Sequence, residues 1–299
     1  MDTTDQQKQV KDIFEDHSEK WFSKAKDETK PVNVIKQRNQ FIEKLALKFL
    51  KKNDKILDVG CGTGDLVISL LQKNFDAYGI DFVPSMIERA ESEALKLSLP
   101  KSKFKTVSFF DFTPNTSFNL ISANGFIEYI SENQLKEFIK KSNDYLKNDG
   151  ILAFSSRNRL FNVNSFNEYT KDEIQLGTIK DLLDECILLN SVKSFEEFKK
   201  AKFVSKLSKN LEYHDYSGSD IKVEKRFQYT PSQLISLLNN NNFDVINLYP
   251  IHVHIFPLAT RNEPAYLHDN VSNYIQNLTN IPISFILQSS SFMIAARRL

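Results

Sequence analysis

The spacing of apolar and polar positions changes several times along the chain, and each change marks an element. Up to about Leu50 the period is helical. Ile13, His17 and Trp21 recur every four residues on one face. Val34, Ile35, Phe41, Ile42, Leu45, Leu47, Phe49 and Leu50 form a second apolar pattern, with Pro31 breaking the chain between them. From Lys55 short apolar runs alternate with amphipathic stretches. Strands are expected over Ile56–Val59, Asp76–Asp81, Thr106–Phe110, Phe118–Ala123 and Ile151–Ser155. Helices are expected over Asp65–Gln72, Pro84–Lys96 and Glu132–Leu146, with a turn at Asn148-Asp149-Gly150. Pro84 suits a helix start, where the first amides lack partners anyway. Short apolar strands separated by helices predict a parallel sheet covered on both faces.

The alternation stops at Arg157 and resumes near Tyr229. Within that insertion Asp172–Ser191 and Phe195–Leu207 are helical in spacing. Pro231–Leu238 makes another helix after Thr230, a capping residue, and the polar run Asn239–Asn242 is a turn. Phe243–Phe256 reads as a long strand. Pro257–Pro282 is a second insertion with a short helix, and Phe285–Arg297 brings in the last strand, Phe292–Ala296. The expected organisation is a helical segment over 1–50, a core over 51–156, a helical insertion over 157–230, and the rest of the core over 231–299 with its insertion at about 257–284.

Composition narrows the picture. A chain of 299 residues is ample for one elaborated domain or a domain plus a subdomain. Lys plus Arg number 39 and Asp plus Glu 38, so a globally basic nucleic-acid face is not indicated. Cys61 and Cys186 make neither a disulfide framework nor a metal set. The N-terminus, MDTTDQQKQV, has no signal-peptide apolar core, and no apolar run is long enough to cross a bilayer; a cytoplasmic setting is expected.

The chemistry concentrates in KILDVGCGTGDL, Lys55 to Leu66. An apolar strand runs into a loop with Gly60, Gly62 and Gly64, where Cys61 supplies a small side chain, and a helix follows. Such a loop lets backbone approach a polar ligand outside the carboxyl end of the strand. It does not spell the dinucleotide fingerprint GxGxxG. Asp58 suits a cationic, amine-bearing ligand better than a pyrophosphate. The acidic residue followed by GxGxG resembles motif I of class I S-adenosylmethionine-dependent methyltransferases of the small-molecule type.

That resemblance covers Ile56–Arg157 well and implies an α/β fold. The sheet would be Rossmann-like, seven-stranded and mostly parallel, with helices on both faces and its last two strands as an antiparallel edge pair. The N-terminal helices would form a lid and the inserted helices a substrate cap, although simple packing also accounts for the first helix. The implied cofactor is S-adenosylmethionine, leaving S-adenosylhomocysteine as product. Asp58 and the backbone at Gly60 and Gly62 would hold its methionine end, Asp81 its ribose, and Asp111 its adenine edge beside Phe112. Phe82 and Met86 would cover the adenine or ribose. Asn124, Gly125, Phe126 and Glu128 in SANGFIEYI would line the methionine and adenosine portions. Taken singly, each acidic residue has an ordinary reading as a helix cap, and Asp81 alone would also suit a dehydrogenase.

Three clusters compete for the acceptor. His252 and His254 in IHVHI share one strand face and can act as a base or a polar wall, or simply pack. With no third ligand evident, no metal is expected. Tyr129 can orient a nucleophile. Arg157, Arg159 and Asn162 offer donors, and arginine forks suit carboxylate or phosphate, so a polar, anionic small acceptor is one expectation and a pinned surface loop the other. His17 and Trp21 would close the site from the N-terminal side, and Tyr229 would line it. The expected reaction is methylation of an oxygen or nitrogen of a small polar biosynthetic substrate. Protein or RNA methylation and a non-catalytic cofactor-binding subunit are the alternatives.

Overall fold

The computed structural model describes residues 3–27, 29, 32–201, 203, 211–213, 226–255, 265–278 and 281–299. Three helices come first: α1 (Thr3–Asp16), α2 (Ser18–Lys26) and α3 (Val34–Phe49). The expected face of Ile13, His17 and Trp21 spans the break between α1 and α2 at His17. Backbone bonds from His17 to Ile13 and from Trp21 to His17 carry the helical direction across it. Pro31 lies outside the described residues.

The core then alternates as the sequence pattern predicts: β1 (Lys55–Val59), α4 (Asp65–Gln72), β2 (Asp76–Asp81), α5 (Pro84–Lys96), β3 (Phe104–Thr106), β4 (Phe118–Ala123), α6 (Glu132–Tyr145) and β5 (Leu146–Arg157). The third and fifth strands depart from the expected bounds by more than one residue. The third strand ends at Thr106 instead of running over 106–110. Ser108 starts a turn there, its hydroxyl accepting from Phe110 N at 3.3 Å and its carbonyl from Asp111 N at 3.1 Å. Phe109 fills the core from that turn, which imitates a strand in the sequence pattern. The turn at 148–150 is a bulge inside β5. Asp149 sits at φ 60°, and the pairing with β4 jumps from Phe118↔Leu146 to Leu120↔Ile151.

The insertion holds α7 (Asn162–Ser165), α8 (Glu168–Gln175), α9 (Ile179–Ser191) and α10 (Phe195–Lys200). The single helix expected over 172–191 is split at Gly177, whose φ of 72° ends α8. The expected extension of α10 at 202 and 204–207 lies outside the described residues. A short ribbon, β6 (Leu211–Tyr213) with β7 (Arg226–Gln228), leads to α11 (Pro231–Asn239), capped by Thr230 and Gln233 in a reciprocal box. Next come β8 (Phe243–Val253), α12 (Ala265–Gln276) and β9 (Ser289–Arg298). The expected strand end at Phe256, and 257–264 and 279–280 of the second insertion, lie outside the described residues.

The seven strands run in the order β3-β2-β1-β4-β5-β9-β8, with β9 antiparallel to both neighbours. Apolar side chains cover both faces. Leu57, Val59, Ile121, Leu152 and Phe154 belong to one layer; Ile56, Leu120, Ile151 and Ala153 belong to the other. The chain reverses direction across the sheet between β1 and β4. In such sheets that switch point opens a crevice at the carboxyl ends of the strands.

Candidate active site

A cavity occupies that crevice. Its floor is Asp58, Gly60, Cys61 and Gly62 after β1, Asp81 and Phe82 after β2, and Asn124, Gly125 and Phe126 after β4. Met86 closes one side, and Glu128 and Tyr129 another. The roof comes from the first helices: Gln7, Val10, Phe14 and Trp21 line it, with Arg38 and Asn39 from α3. Together with the open solvent at its mouth, its empty space amounts to about 1080 Å³.

The loop is shaped by its own backbone. Gly60 N and Cys61 N both donate to Ile80 O, pinning the loop to β2. Gly62 has a φ of 51° and would carry a Cβ into open space, so this stretch leaves backbone facing the cavity. Gly64 does a different job outside the lining. A Cβ there would lie 2.8 Å from Ala90 Cβ and 2.8 Å from the Phe104 ring, so α4 packs closely because nothing projects.

Two carboxyls face the space. Asp81 Oδ2 accepts from Gly62 N at 2.9 Å and Oδ1 from Val83 N at 3.0 Å. Burial nevertheless raises its pKa to about 6, against the backbone amides of Val83, Gly62 and Phe82. Asp58, 4 % exposed, accepts from Ser122 Oγ at 2.6 Å. Burial raises it to about 7, opposed by that bond and reinforced by Asp81. Such carboxyls favour a ligand that brings positive charge and hydroxyl donors. The Cys61 thiol is pushed well up by burial and by Asp81 and Asp58, and stays protonated.

At the other end, Glu128 is buried and Arg157 Nε donates to its Oε2 at 3.0 Å. Burial would raise this carboxyl, but the guanidiniums of Arg157, Arg38 and Arg226 outweigh that and hold it low. Tyr129 is pushed up to about 12 by burial and by Glu128, so its phenol is neutral near pH 7. Gln6 and Gln7 donate side-chain amides to Tyr129 O at 3.3 and 3.2 Å, and Phe14 meets the Tyr129 ring edge-on at 5.3 Å. These contacts fasten α1 over the cavity.

The candidate residues therefore sort by place. Asp58, Gly60, Cys61, Gly62, Asp81, Phe82, Met86, Asn124, Gly125, Glu128, Tyr129 and Trp21 meet at one cavity. Asp111 and Phe112 do not: Asp111 is exposed, and Phe126 lines the cavity with its ring stacked on Phe110 at 6.3 Å, in front of that turn. His17, at the break between α1 and α2, turns back to α1, its Nδ1 lying 2.9 Å from Ile13 O. Arg159 is corrected from a substrate ligand to a structural ion pair. It and Glu173 are both fully buried, with Nε and Nη2 each 2.9 Å from the two carboxylate oxygens. Thr178 and Asn162 complete the shell of Glu173, which occupies the Asn162 amide as well. Tyr229 is buried and lines none of the main cavities. Its backbone bonds to Arg157 and Arg159 hold that segment straight.

His252 and His254 stand at a second cavity, with Arg157, Asn162, Tyr169, Gln228 and Ser290 in its wall. Their rings lie 4.1 Å apart, and His254 packs on Phe161 at 4.8 Å and His268 at 5.0 Å. Among the described residues no group of three or more His, Cys, Asp or Glu side chains can hold a metal ion, and no helix is long and apolar enough to cross a membrane. Sequence reasoning missed Gln7, Arg38 and Asn39, whereas Phe126 was among the residues it named in the segment after β4.

A mixed sheet of this order, with an acidic glycine loop at its switch point, defines a class I, S-adenosylmethionine-dependent methyltransferase. Residues 34–248 match the family model described as "Methyltransferase domain", and the chain belongs to that family. Among curated proteins it is 37% identical over 111 residues to carboxy-S-adenosyl-L-methionine synthase of Nautilia profundicola, covering 36% of this chain and 47% of that one. It is 33% identical over 123 residues to malonyl-[acyl-carrier protein] O-methyltransferase of Acetivibrio thermocellus, covering 40% and 41%. The chain thus spans less than half the length of these relatives. Magnesium protoporphyrin IX methyltransferase of Synechocystis PCC 6803, solved with bound SAH, shares the fold at a TM-score of 0.56 and 13% identity, covering 98% of this chain and 100% of that one.

Proposed function

We propose that this enzyme transfers a methyl group from S-adenosylmethionine to an oxygen or nitrogen of a small polar acceptor held inside the roofed cavity. S-adenosylmethionine supplies a methyl made electrophilic by its sulfonium, so the protein has to bind, align and exclude water. Two features of the site fit this cofactor: buried carboxyls with raised pKa values, and open backbone at Gly62. Asp58 takes its ammonium and Asp81 its ribose hydroxyls, while Phe82 and Met86 border the adenosine. Glu128 and Tyr129 then stand nearest the acceptor. The neutral Tyr129 phenol orients a nucleophile and cannot remove its proton near pH 7. An oxygen nucleophile would give its proton to His252 or His254 if the acceptor spans both cavities. A nitrogen nucleophile needs mainly orientation.

The observation that carries the small-acceptor reading is the roof. Gln7, Val10, Phe14 and Trp21 line the cavity from above, so it is roofed by helices and open at its mouth. The test is to supply methyl-labelled cofactor with a small-molecule extract and, separately, with total protein and total RNA. Label in a small product supports the reading. Label confined to protein or RNA overturns it.

A further inference from the structure

An ion pair joins the wall of the second cavity to that of the first. Glu128 lines the cofactor cavity, Arg157 lines the other, and the two side chains meet at 3.0 Å. The composition of that second cavity is one-sided. Its wall carries the guanidinium of Arg157, the imidazoles of His252 and His254, the amides of Asn167 and Gln228 and the hydroxyl of Ser290; no Asp or Glu lines it among the described residues. Among the described residues Arg157 meets Glu128 through its Nε, and its guanidinium carries further terminal N–H donors. The acidic side chain beneath, Glu173, is spent on Arg159. A cavity rich in donors and lacking acidic side chains suits an anion, and a guanidinium fork suits a carboxylate or phosphate.

We propose that this cavity binds the anionic group of the methyl acceptor, whose other end reaches past Glu128 and Tyr129 to the cofactor. The backbone supports this use. His252 is a β-strand residue held at φ 54°, and its amide donates to Gln37 Oε1 at 3.0 Å, so β8 ends in a conformation that only its surroundings enforce. Both imidazoles stand on one wall of the cavity, 4.1 Å apart. The proposal rests on the small-acceptor reading and narrows it to acceptors carrying a carboxylate or a phosphoryl group.

The test is a titration of protein saturated with S-adenosylhomocysteine, using succinate, inorganic phosphate and the uncharged succinamide as separate probes. The readouts are affinity and the imidazole NMR signals of His252 and His254. One anion is expected to move both signals while succinamide does not. Succinate acting alone identifies a carboxylate, and phosphate acting alone a phosphoryl group. Arg157→Gln is expected to weaken that anion about tenfold, the size of one charge-assisted contact, with Arg157→Lys in between. Should Arg157→Gln fail to fold, the wild-type signals alone decide. No anion-specific shift, or equal affinity in wild type and Arg157→Gln, overturns the proposal. If the anions fail while a neutral small molecule is methylated, only this proposal falls. Label found solely in macromolecules removes both it and the small-acceptor reading.

Discussion

Asp58 and Asp81 are buried carboxyls that the ligand-free protein holds partly protonated near neutral pH, because burial raises them to about 7 and about 6. Their folded pKa values lie above the ordinary 3.8 of the unfolded chain, so the folded state binds more protons between pH 4 and 7. Stability of the ligand-free protein therefore falls as pH rises through that window. Affinity for S-adenosylhomocysteine moves the other way: its ammonium needs the ionised carboxylates, so affinity rises through pH 6 to 7 and binding releases protons. Calorimetry in buffers of different ionisation heat reads that release, and zero release would contradict the assignment. Asp58→Asn should weaken the product complex about tenfold or more while leaving the melting temperature of the free protein unchanged or higher. These two aspartates were legible in the sequence because Asp58 sits near the end of an apolar strand just before the glycine loop, and Asp81 closes the next apolar strand. Arg38 and Gln7 were not, since a residue on an amphipathic helix says nothing of which distant strand end it will roof.

The elements owe their places to close packing that the sequence only hints at. Gly64 combines a φ of 79° with contacts that a methyl group would violate, 2.8 Å from Ala90 and Phe104. Gly64→Ala should cost roughly 2–4 kcal/mol in urea unfolding, from backbone strain plus overpacking. A loss under about 1 kcal/mol would mean the loop shifts freely. The insertion is locked by the Arg159–Glu173 pair, fully buried on both sides. Glu173→Gln leaves a buried guanidinium uncompensated and should cost about 3–5 kcal/mol, with affinity for S-adenosylhomocysteine unchanged. A drop in that affinity in protein that remains folded would tie Arg159 to the site after all. The alternating core was readable from periodicity because its strands are apolar on both faces. The failures have local causes: Ser108 makes a turn from an apolar run, and Gly177 splits a continuous helical pattern.

Across the whole molecule, the sheet brings its chemistry to one edge. The carboxyl ends of β1, β2 and β4 frame the first cavity, α1 and α2 roof it, and the end of β8 with the insertion frames a second one beyond Glu128 and Arg157. The motif resemblance anticipated the first cavity. The second joins residues from 157 to 290, and no local pattern announces such a meeting. The histidines stood out in the sequence by their alternation, yet their neighbours Arg157 and Ser290 came from elements far along the chain. The most direct measurement is a crystal structure of the S-adenosylhomocysteine complex. The amino group is expected within hydrogen-bond distance of Asp58 and the ribose hydroxyls at Asp81, with the sulfur facing Glu128 and Tyr129. A product bound elsewhere, or a sulfur turned away from Glu128 and Tyr129, would contradict the account.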